Sequence, residues 1–373
     1  MKIVLIGTTA ACVLGFRADL ISALVEKGHQ VFALALDFNP DTRERVRALG
    51  AEPVNYMFSR AGLNPLTDII NTYKLSKILR HISPDLVFSY FSKPVIFGTL
   101  AAVVAGVKRR IAMLEGLGYV FTERPGGSHI RNKILKHVQV TLYRISFPFL
   151  ERVIFLNNDD PIDLIARYRL KVPKIDVLGG IGLKLSDYPY TPPPTDPVSF
   201  IFVGRLLADK GINEFIHAAR LVKQTSPESK FIMLGGLDET NPGSLSKDEL
   251  KALIKEGLVD HQGHVDDVTA WINNASVFVL PSYREGVPRS TQEAMAIGRP
   301  VITTDVPGCR DTVNDGVNGF LVPPWSSQAL AEKMLYFVDN PEQIRIMGLQ
   351  SFNLAQQKYD ARLVNDRLMG YFI

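Results

Sequence analysis

The stretch Arg284-Glu285-Gly286-Val287-Pro288-Arg289-Ser290-Thr291-Gln292-Glu293-Ala294-Met295-Ala296-Ile297-Gly298-Arg299-Pro300 decides how this chain is read. An apolar run, Val277-Phe278-Val279-Leu280, precedes it and reads as a buried strand. A helix-stopping Gly298 and a second apolar run, Val301-Ile302-Thr303-Thr304, follow it. A loop with Glu285 and a glycine at its tip therefore opens a helix between two parallel strands. In an open α/β sheet that is where ligands bind. Ser290-x-x-Glu293 also reads as a capping box, with Ser290 as N-cap and Glu293 at the third helical position.

Around this stretch the second half is an α/β pattern. Val198–Val203 is a strand, followed by Gly204-Arg205-Leu206-Leu207-Ala208-Asp209-Lys210-Gly211 and a helix from Ile212 to Val222. Phe231–Leu234 is the next strand, and a polar loop leads to a helix ending at Glu256. His261-Gln262-Gly263-His264-Val265 precedes a short helix through Trp271. Asp315-Gly316-Val317-Asn318-Gly319 is a turn, Phe320–Val322 the last strand, and two helices and a helical tail finish the chain.

The first half alternates in the same way. Lys2–Ile6 is a buried strand, Gly7 to Gly15 a small-residue loop, Phe16–Lys27 a helix and Gln30–Leu36 a strand. The spacing Gly7…Gly15 is not the dinucleotide fingerprint, so a nicotinamide-dependent oxidoreductase is disfavoured. Glu52–Met57, Leu86–Tyr90, Arg109–Leu114, Val153–Leu156 and Lys174–Leu178 read as further strands. Leu66–His81 and Val95–Ala105 read as helices. Such alternation means doubly wound parallel sheets. Tyr188–Pro197 holds five prolines and reads as an extended linker, with the domain boundary just before it.

One segment stands apart. Ile130, Ile134, Val138, Leu142, Ile145 and Phe149 fall on one helical arc, and Lys133, Lys136, His137 and Arg144 fall opposite. Two readings stay open: an apolar arc packed on the sheet with a solvated basic face, or a basic helix on an anionic membrane surface. They are compatible, with the arc packed and the basic face on lipid headgroups.

Composition narrows the class. The chain has 373 residues, 46% hydrophobic and 21% charged, enough for two α/β domains and against global disorder. Its formal net charge of +4 alone argues neither for nor against nucleic acid. Cys12 and Cys309 are the only cysteines, so no disulfide framework or cysteine-based zinc site is expected. Lys2 followed by Ile3 to Leu14 superficially resembles a signal peptide, but strand, loop and helix account for every residue. The uncharged stretch Pro94–Val107 has 14 residues, short of the ~20 that a bilayer span needs, and no transmembrane helix is expected.

Arg205 and Lys210 lie between a strand end and a helix N-terminus. A planar guanidinium, an ammonium and free backbone N–H groups suit an anionic diphosphate, although the spacing alone equally fits a solvated loop. Glu285, in the loop before its helix, is placed to accept hydrogen bonds from sugar hydroxyls.

Taken together, Gly204-Arg205-x4-Lys210-Gly211, Gly263-His264-Val265, Glu285-Gly286-x6-Glu293 with Gly298-x-Pro300, and Asp315-Gly316-x2-Gly319 resemble glycosyltransferase family 4, whose members are retaining enzymes. Tyr90-Phe91-Ser92-Lys93-Pro94 and Glu115-Gly116-Leu117-Gly118 resemble the subgroup that builds capsule, O-antigen and N-glycan precursors on polyprenyl diphosphate. Within it the α-1,3-N-acetylgalactosaminyltransferases look most similar.

The resemblance implies the GT-B fold, two Rossmann-like doubly wound domains facing across a cleft. Residues 1–185 would bind acceptor, 186–197 link, 198–355 bind a UDP-sugar, and 356–373 form a helix returning to the first domain. It implies that Arg205 and Lys210 stabilise the departing diphosphate, Glu285 reads the sugar with Gly286 and Val287 beside it, and Glu293 contacts the ribose. Val265 would lie by the uracil and Gly15 near the diphosphate. Glu115 stands where many members carry a histidine and is a candidate base or sugar ligand. Lys93, Arg60 and Arg124 are candidates for an acceptor diphosphate. No D-x-D triplet occurs, so metal independence is expected. The partners implied are a UDP-sugar and a polyprenyl-diphosphate-linked saccharide, on the cytoplasmic face of the membrane. Rival readings are a soluble transferase with a small acceptor, and a silent sugar-nucleotide-binding subunit.

Overall fold

The computed structural model describes residues 1–59, 64–125, 127, 130–238, 241 and 243–372. Arg60 lies outside them. The chain divides into two compact units, Met1–Leu117 with Ile130–Ile181 and Ala361–Ile373, and Gly118–His129 with Gly182–Asp360. The boundaries thus differ from those read in the sequence. The main division falls before Gly182, and residues 118–129 group with the second unit.

The first unit is a parallel sheet of seven strands in the order β3-β2-β1-β4-β5-β6-β7. These are Lys2–Ile6 (β1), Gln30–Ala35 (β2), Ala51–Asn55 (β3), Leu86–Tyr90 (β4), Arg109–Leu114 (β5), Arg152–Phe155 (β6) and Ile175–Val177 (β7). The central strands are apolar runs buried on both faces, as covered parallel strands must be. Helices Ala10–Phe16 (α1), Ala18–Glu26 (α2), Pro40–Ala48 (α3), Pro65–Ile82 (α4), Thr99–Ala105 (α5), Ile130–Ser146 (α6) and Asp159–Pro161 (α7) join them.

Helix α1 corrects the expected loop from Gly7 to Gly15. Thr9 caps it, its Oγ1 accepting from the Cys12 N–H at 3.3 Å, and Ala10 and Val13 bury its inner face. Alanine-rich sequence favours helix once a cap starts it. Helix α3 was not legible as an element. It begins with a capping box between Asn39 and Thr42 and a proline in its first turn.

In the second unit the order is β10-β9-β8-β11-β12-β13, again all parallel. The strands are Ser199–Val203 (β8), Lys230–Leu234 (β9), Asp260–His261 (β10), Val277–Leu280 (β11), Val301–Thr304 (β12) and Gly319–Val322 (β13). The helices are Ile212–Thr225 (α8), Lys247–Lys255 (α9), Val268–Asn273 (α10), Arg289–Ile297 (α11), Ser327–Asp339 (α12) and Pro341–Lys358 (α13). The last helix, Ala361–Gly370 (α14), belongs to the first unit, where it packs on α2.

The proline-rich stretch is not a free linker. The Tyr190 ring packs tilted against Phe352, and the Thr191 N–H donates to the Ile297 carbonyl at 3.0 Å. Arg299, fully buried, holds it. Its guanidinium donates to the carbonyls of Thr191, Ile272 and Asn273 and to the Thr191 hydroxyl at 2.6–2.9 Å. Burial pushes the Arg299 pKa down to about 10, which leaves it charged at neutral pH. Arg299→Ala strands these carbonyls and is expected to cost about 3–5 kcal/mol. Thermal denaturation followed by circular dichroism should show the lower midpoint; an unchanged midpoint would contradict this role.

Helix α6 tells against one of its two readings, the arc packed on the sheet. Its apolar arc does not pack on the sheet. Ile130 and Ile134 are 77% and 58% exposed, and Val138, Ile145 and Phe149 are exposed too. The buried side is Val140, Tyr143 and Ser146. On the basic side, Arg144 donates to the Tyr168 carbonyl at 3.0 Å and Lys136 lies over the Tyr168 ring. Among the described residues, no helix is long and apolar enough to cross a membrane.

Candidate active site

The second sheet reverses direction between β8 and β11. From β8 the chain builds outward to β9 and β10, then returns to β11 and builds the other way. The carboxyl ends of strands at such a reversal leave a crevice for ligands. Two loops flank it, residues 204–211 after β8 and 281–288 after β11.

Backbone contacts lock these loops together. The Tyr283 N–H donates to the Asp209 carbonyl at 2.9 Å. Gly211 sits at φ 74°, and a Cβ there would meet the Pro281 carbonyl oxygen at 2.0 Å. Only glycine combines that dihedral with that approach. Behind the second loop, the Glu285 N–H donates to the Pro307 carbonyl at 3.0 Å, and Gly308 presses against the Glu285 and Gly286 carbonyls.

The result is an ion pair across the crevice. Lys210 Nζ donates to Glu285 Oε1 at 2.5 Å, and the Ser282 hydroxyl donates to the same oxygen at 2.7 Å. Both partners are mostly shielded. Arg205, at the crevice mouth, is 62% exposed and reaches Asp238 at 3.3 Å. Its guanidinium is thus available to a ligand, whereas Lys210 is already aimed.

Helix α11 corrects the expected capping box. Pro288 is the N-cap, and no side chain caps the helix. Helical geometry already begins at Arg289, which puts Ser290 two positions past the cap. Its hydroxyl donates instead to the Val203 carbonyl at 3.2 Å, tying α11 to the end of β8. Glu293 falls in the second turn, where it accepts from Arg289 Nε at 2.9 Å and the Tyr188 hydroxyl at 3.0 Å. Burial and that carboxylate push the Tyr188 pKa up to about 12. Helix α8 also lacks a side-chain cap. Two helix N-termini with uncapped N–H groups therefore face the carboxyl side of the sheet.

The remaining second-unit residues are less centrally placed. Gly286 and Val287 are buried in the loop after β11. Val265 is half-buried between β10 and α10. Arg124, read as an acceptor ligand, is committed to Asp209 at 2.6 Å, next to Lys210. Cys309 is buried, and burial with the nearby Glu285 charge pushes its thiol up to about 12. It is an inert core residue rather than a nucleophile.

In the first unit the reversal lies between β1 and β4. Lys93, after β4, donates to the Ser59 hydroxyl at 2.7 Å and carbonyl at 3.0 Å, and pairs with buried Asp68 at 3.5 Å. It borders a small cavity lined by Thr8, Leu36, Tyr56, Phe58 and Phe97. Gly15 is exposed in the last turn of α1, not in a loop. Glu115, after β5, pairs with Arg17, and both are buried. Arg17 also lies 4.5 Å over the Tyr90 ring.

Sequence reasoning missed Arg17. It sits between α1 and α2 at φ −128°, ψ 0°, where a single helix from Phe16 to Lys27 was expected. A signal exists in hindsight. Val13, Arg17, Leu20, Ile21 and Leu24 share helical spacing, so the arginine occupies a core position and needs a carboxylate.

Comparison with known proteins supports the geometry. A family model described as "Glycosyltransferase Family 4" matches residues 18–179, and one described as "Glycosyl transferases group 1" matches residues 197–340. The chain is 28% identical to a Campylobacter jejuni N,N'-diacetylbacillosaminyl-diphospho-undecaprenol alpha-1,3-N-acetylgalactosaminyltransferase, covering 100% of this chain and 98% of that one. It is 27% identical to an Escherichia coli UDP-Gal:alpha-D-GlcNAc-diphosphoundecaprenol alpha-1,3-galactosyltransferase, over 69% of this chain and 67% of that one. The structure of Anabaena Alr3699/HepE with UDP and glucose superposes with a TM-score of 0.79 at 18% identity, covering 100% of this chain and 99% of that chain. Two reversing parallel sheets of this kind, matched along both units, are the GT-B fold, and the chain belongs to the retaining glycosyltransferases of family 4.

Proposed function

We propose that this enzyme moves a sugar from a UDP-sugar to a polyprenyl-diphosphate-linked saccharide during surface-polysaccharide or glycan-precursor assembly. The donor sugar is GalNAc, and the new linkage is α-1,3. The observation that carries the reading is the Lys210–Glu285 pair at the second sheet's reversal, beside two uncapped helix N-termini. The names of the two undecaprenol-linked relatives favour the lipid acceptor, and the full-length relative favours GalNAc.

The chemistry follows from the charges. The acceptor hydroxyl attacks the anomeric carbon from the face that UDP leaves, and its proton passes to a donor phosphate oxygen. Lys210, Arg205 and the helix N-termini stabilise the diphosphate as the glycosidic C–O bond breaks. Glu285, oriented by Ser282 and Lys210, accepts sugar hydroxyls, with Gly286 and Val287 alongside. Glu293, held through Oε1 by Tyr188 and Arg289, contacts the ribose. Val265 packs by the uracil, and Gly15 lies near the diphosphate. Glu115, held by Arg17, hydrogen-bonds sugar or acceptor hydroxyls. Lys93 serves the acceptor diphosphate once released from Asp68. Arg60 remains a candidate for the same role.

Because protein cations meet the diphosphate, divalent metal is dispensable in this reading. EDTA treatment is expected to leave initial rates within about twofold, since the charge stabilisation is built into the fold; loss restored by Mn²⁺ would refute it. The enzyme acts as a peripheral protein on the inner face of the membrane, with α6 on anionic lipid. Its basic residues and exposed apolar arc favour that over a small soluble acceptor. Transfer assays with a panel of UDP-sugars and both acceptor types test the whole reading.

A further inference from the structure

The first turns of α4 are inside out. Asp68 and Asn71 are buried, while Leu66, Ile69, Ile70 and Tyr73 are 75%, 66%, 55% and 53% exposed. Their spacing of i, i+3, i+4 and i+7 puts these four side chains on one stripe. From Leu75 onward the buried face turns apolar, with Leu75, Leu79 and Ile82 in the core. The inversion is anchored rather than accidental. Lys93 pairs with Asp68 on the inner side, and the Asn64 N–H donates to Asp68 Oδ2 at 3.3 Å.

Charge says what covers the stripe. The one acidic residue of α4 is the buried, paired Asp68, whereas Lys74, Lys77 and Arg80 are exposed. The Lys77 ammonium lies 4.7 Å over the Tyr73 ring, an apolar body with a cation at its rim. Helix α6 repeats the pattern, with an exposed apolar arc, Arg131, Lys133 and Arg144 exposed, and no acidic residue from Ile130 to Phe149. Both helices pack against the turn at Pro94–Gly98. They therefore stand on the same face of the first sheet. An apolar stripe on a helix whose exposed charges are all cationic matches the headgroup boundary of an anionic bilayer.

We propose that the Leu66–Ile69–Ile70–Tyr73 stripe is a second lipid-docking element, which with α6 makes a two-helix footprint on anionic membrane. This goes beyond the function proposed above, which places α6 alone on lipid. Two lines of contact fix the first unit's orientation on the surface, where one helix leaves it free to roll.

The test uses the full chain with vesicles of phosphatidylcholine alone or mixed with phosphatidylglycerol. Ile69→Ser/Tyr73→Ser on α4 and Ile134→Ser/Val138→Ser on α6 are compared with the parent by co-sedimentation. All four positions are exposed, so thermal midpoints should match the parent. Each double variant is expected to lower partition onto mixed vesicles by about tenfold, from the apolar area withdrawn from lipid. Parent-like partition of the α4 variant would overturn the inference. So would a parent chain that ignores vesicles but self-associates through the stripe in analytical ultracentrifugation. A chain that needs both helices for vesicles yet turns over no UDP-sugar supports this inference and overturns the function proposed above.

Discussion

Lys210→Ala is expected to lower transfer by about 10³-fold, the scale of removing a preorganised group from a developing negative charge. The ammonium is already aimed into the crevice by Glu285, so no reorganisation is needed when the diphosphate departs. Affinity for free UDP should fall as well, because the product carries the charge that Lys210 faces. The fold should survive. The pair is mostly shielded but not core, and its loss costs at most about 2 kcal/mol. Steady-state kinetics, UDP titration calorimetry and a melting curve together check this. Near-normal turnover in a folded variant would remove Lys210 from the site.

Glu285→Ala should show a different signature. Transfer is again expected to fall by about 10³-fold, since a site built to accept sugar hydroxyls loses its acceptor. UDP affinity, however, should fall less than about tenfold, because UDP lacks the transferred sugar whose hydroxyls Glu285 accepts. Glu285→Gln should lie between, keeping one acceptor oxygen while weakening the hold on Lys210. A Glu285→Ala variant that loses UDP and sugar binding equally would mean the carboxylate merely positions Lys210.

Much of this site was legible because its parts are local. β8 and β11 are short apolar runs, and Arg205, Lys210 and Glu285 sit within a few residues of their ends. What links them is topology: Lys210 and Glu285 are 75 residues apart, yet a sheet reversal makes their loops neighbours. The misses have physical causes. Ser290 has the composition of a cap, but Pro288 starts the helix earlier and Val203 takes the hydroxyl. The Arg17–Glu115 pair spans 98 residues and carries no local signal beyond one charge at a core position. For α4 and α6, periodicity reveals the apolar stripe but not whether protein or lipid covers it. On α4 even the inward face misleads, because Asp68 and Asn71 occupy it.

The proline-rich stretch shows the same limit. Its prolines read as a spacer, whereas buried Arg299, with hydrogen bonds to both the stretch and α10, makes it part of the second unit. A residue inside the deciding motif, at the end of the α11 turn, thus has a structural role unrelated to the ligand.

In the proposed reaction the second sheet's reversal holds a UDP-sugar whose sugar is passed, with its α configuration kept, to a diphosphate-linked lipid acceptor. Initial-rate transfer measured with a panel of UDP-sugars, on vesicles carrying an undecaprenyl-diphosphate-linked amino sugar, tests it most directly. Turnover from UDP-GalNAc and an α-linked product are expected. Turnover confined to a donor without uridine diphosphate, or to a free soluble acceptor, would contradict it.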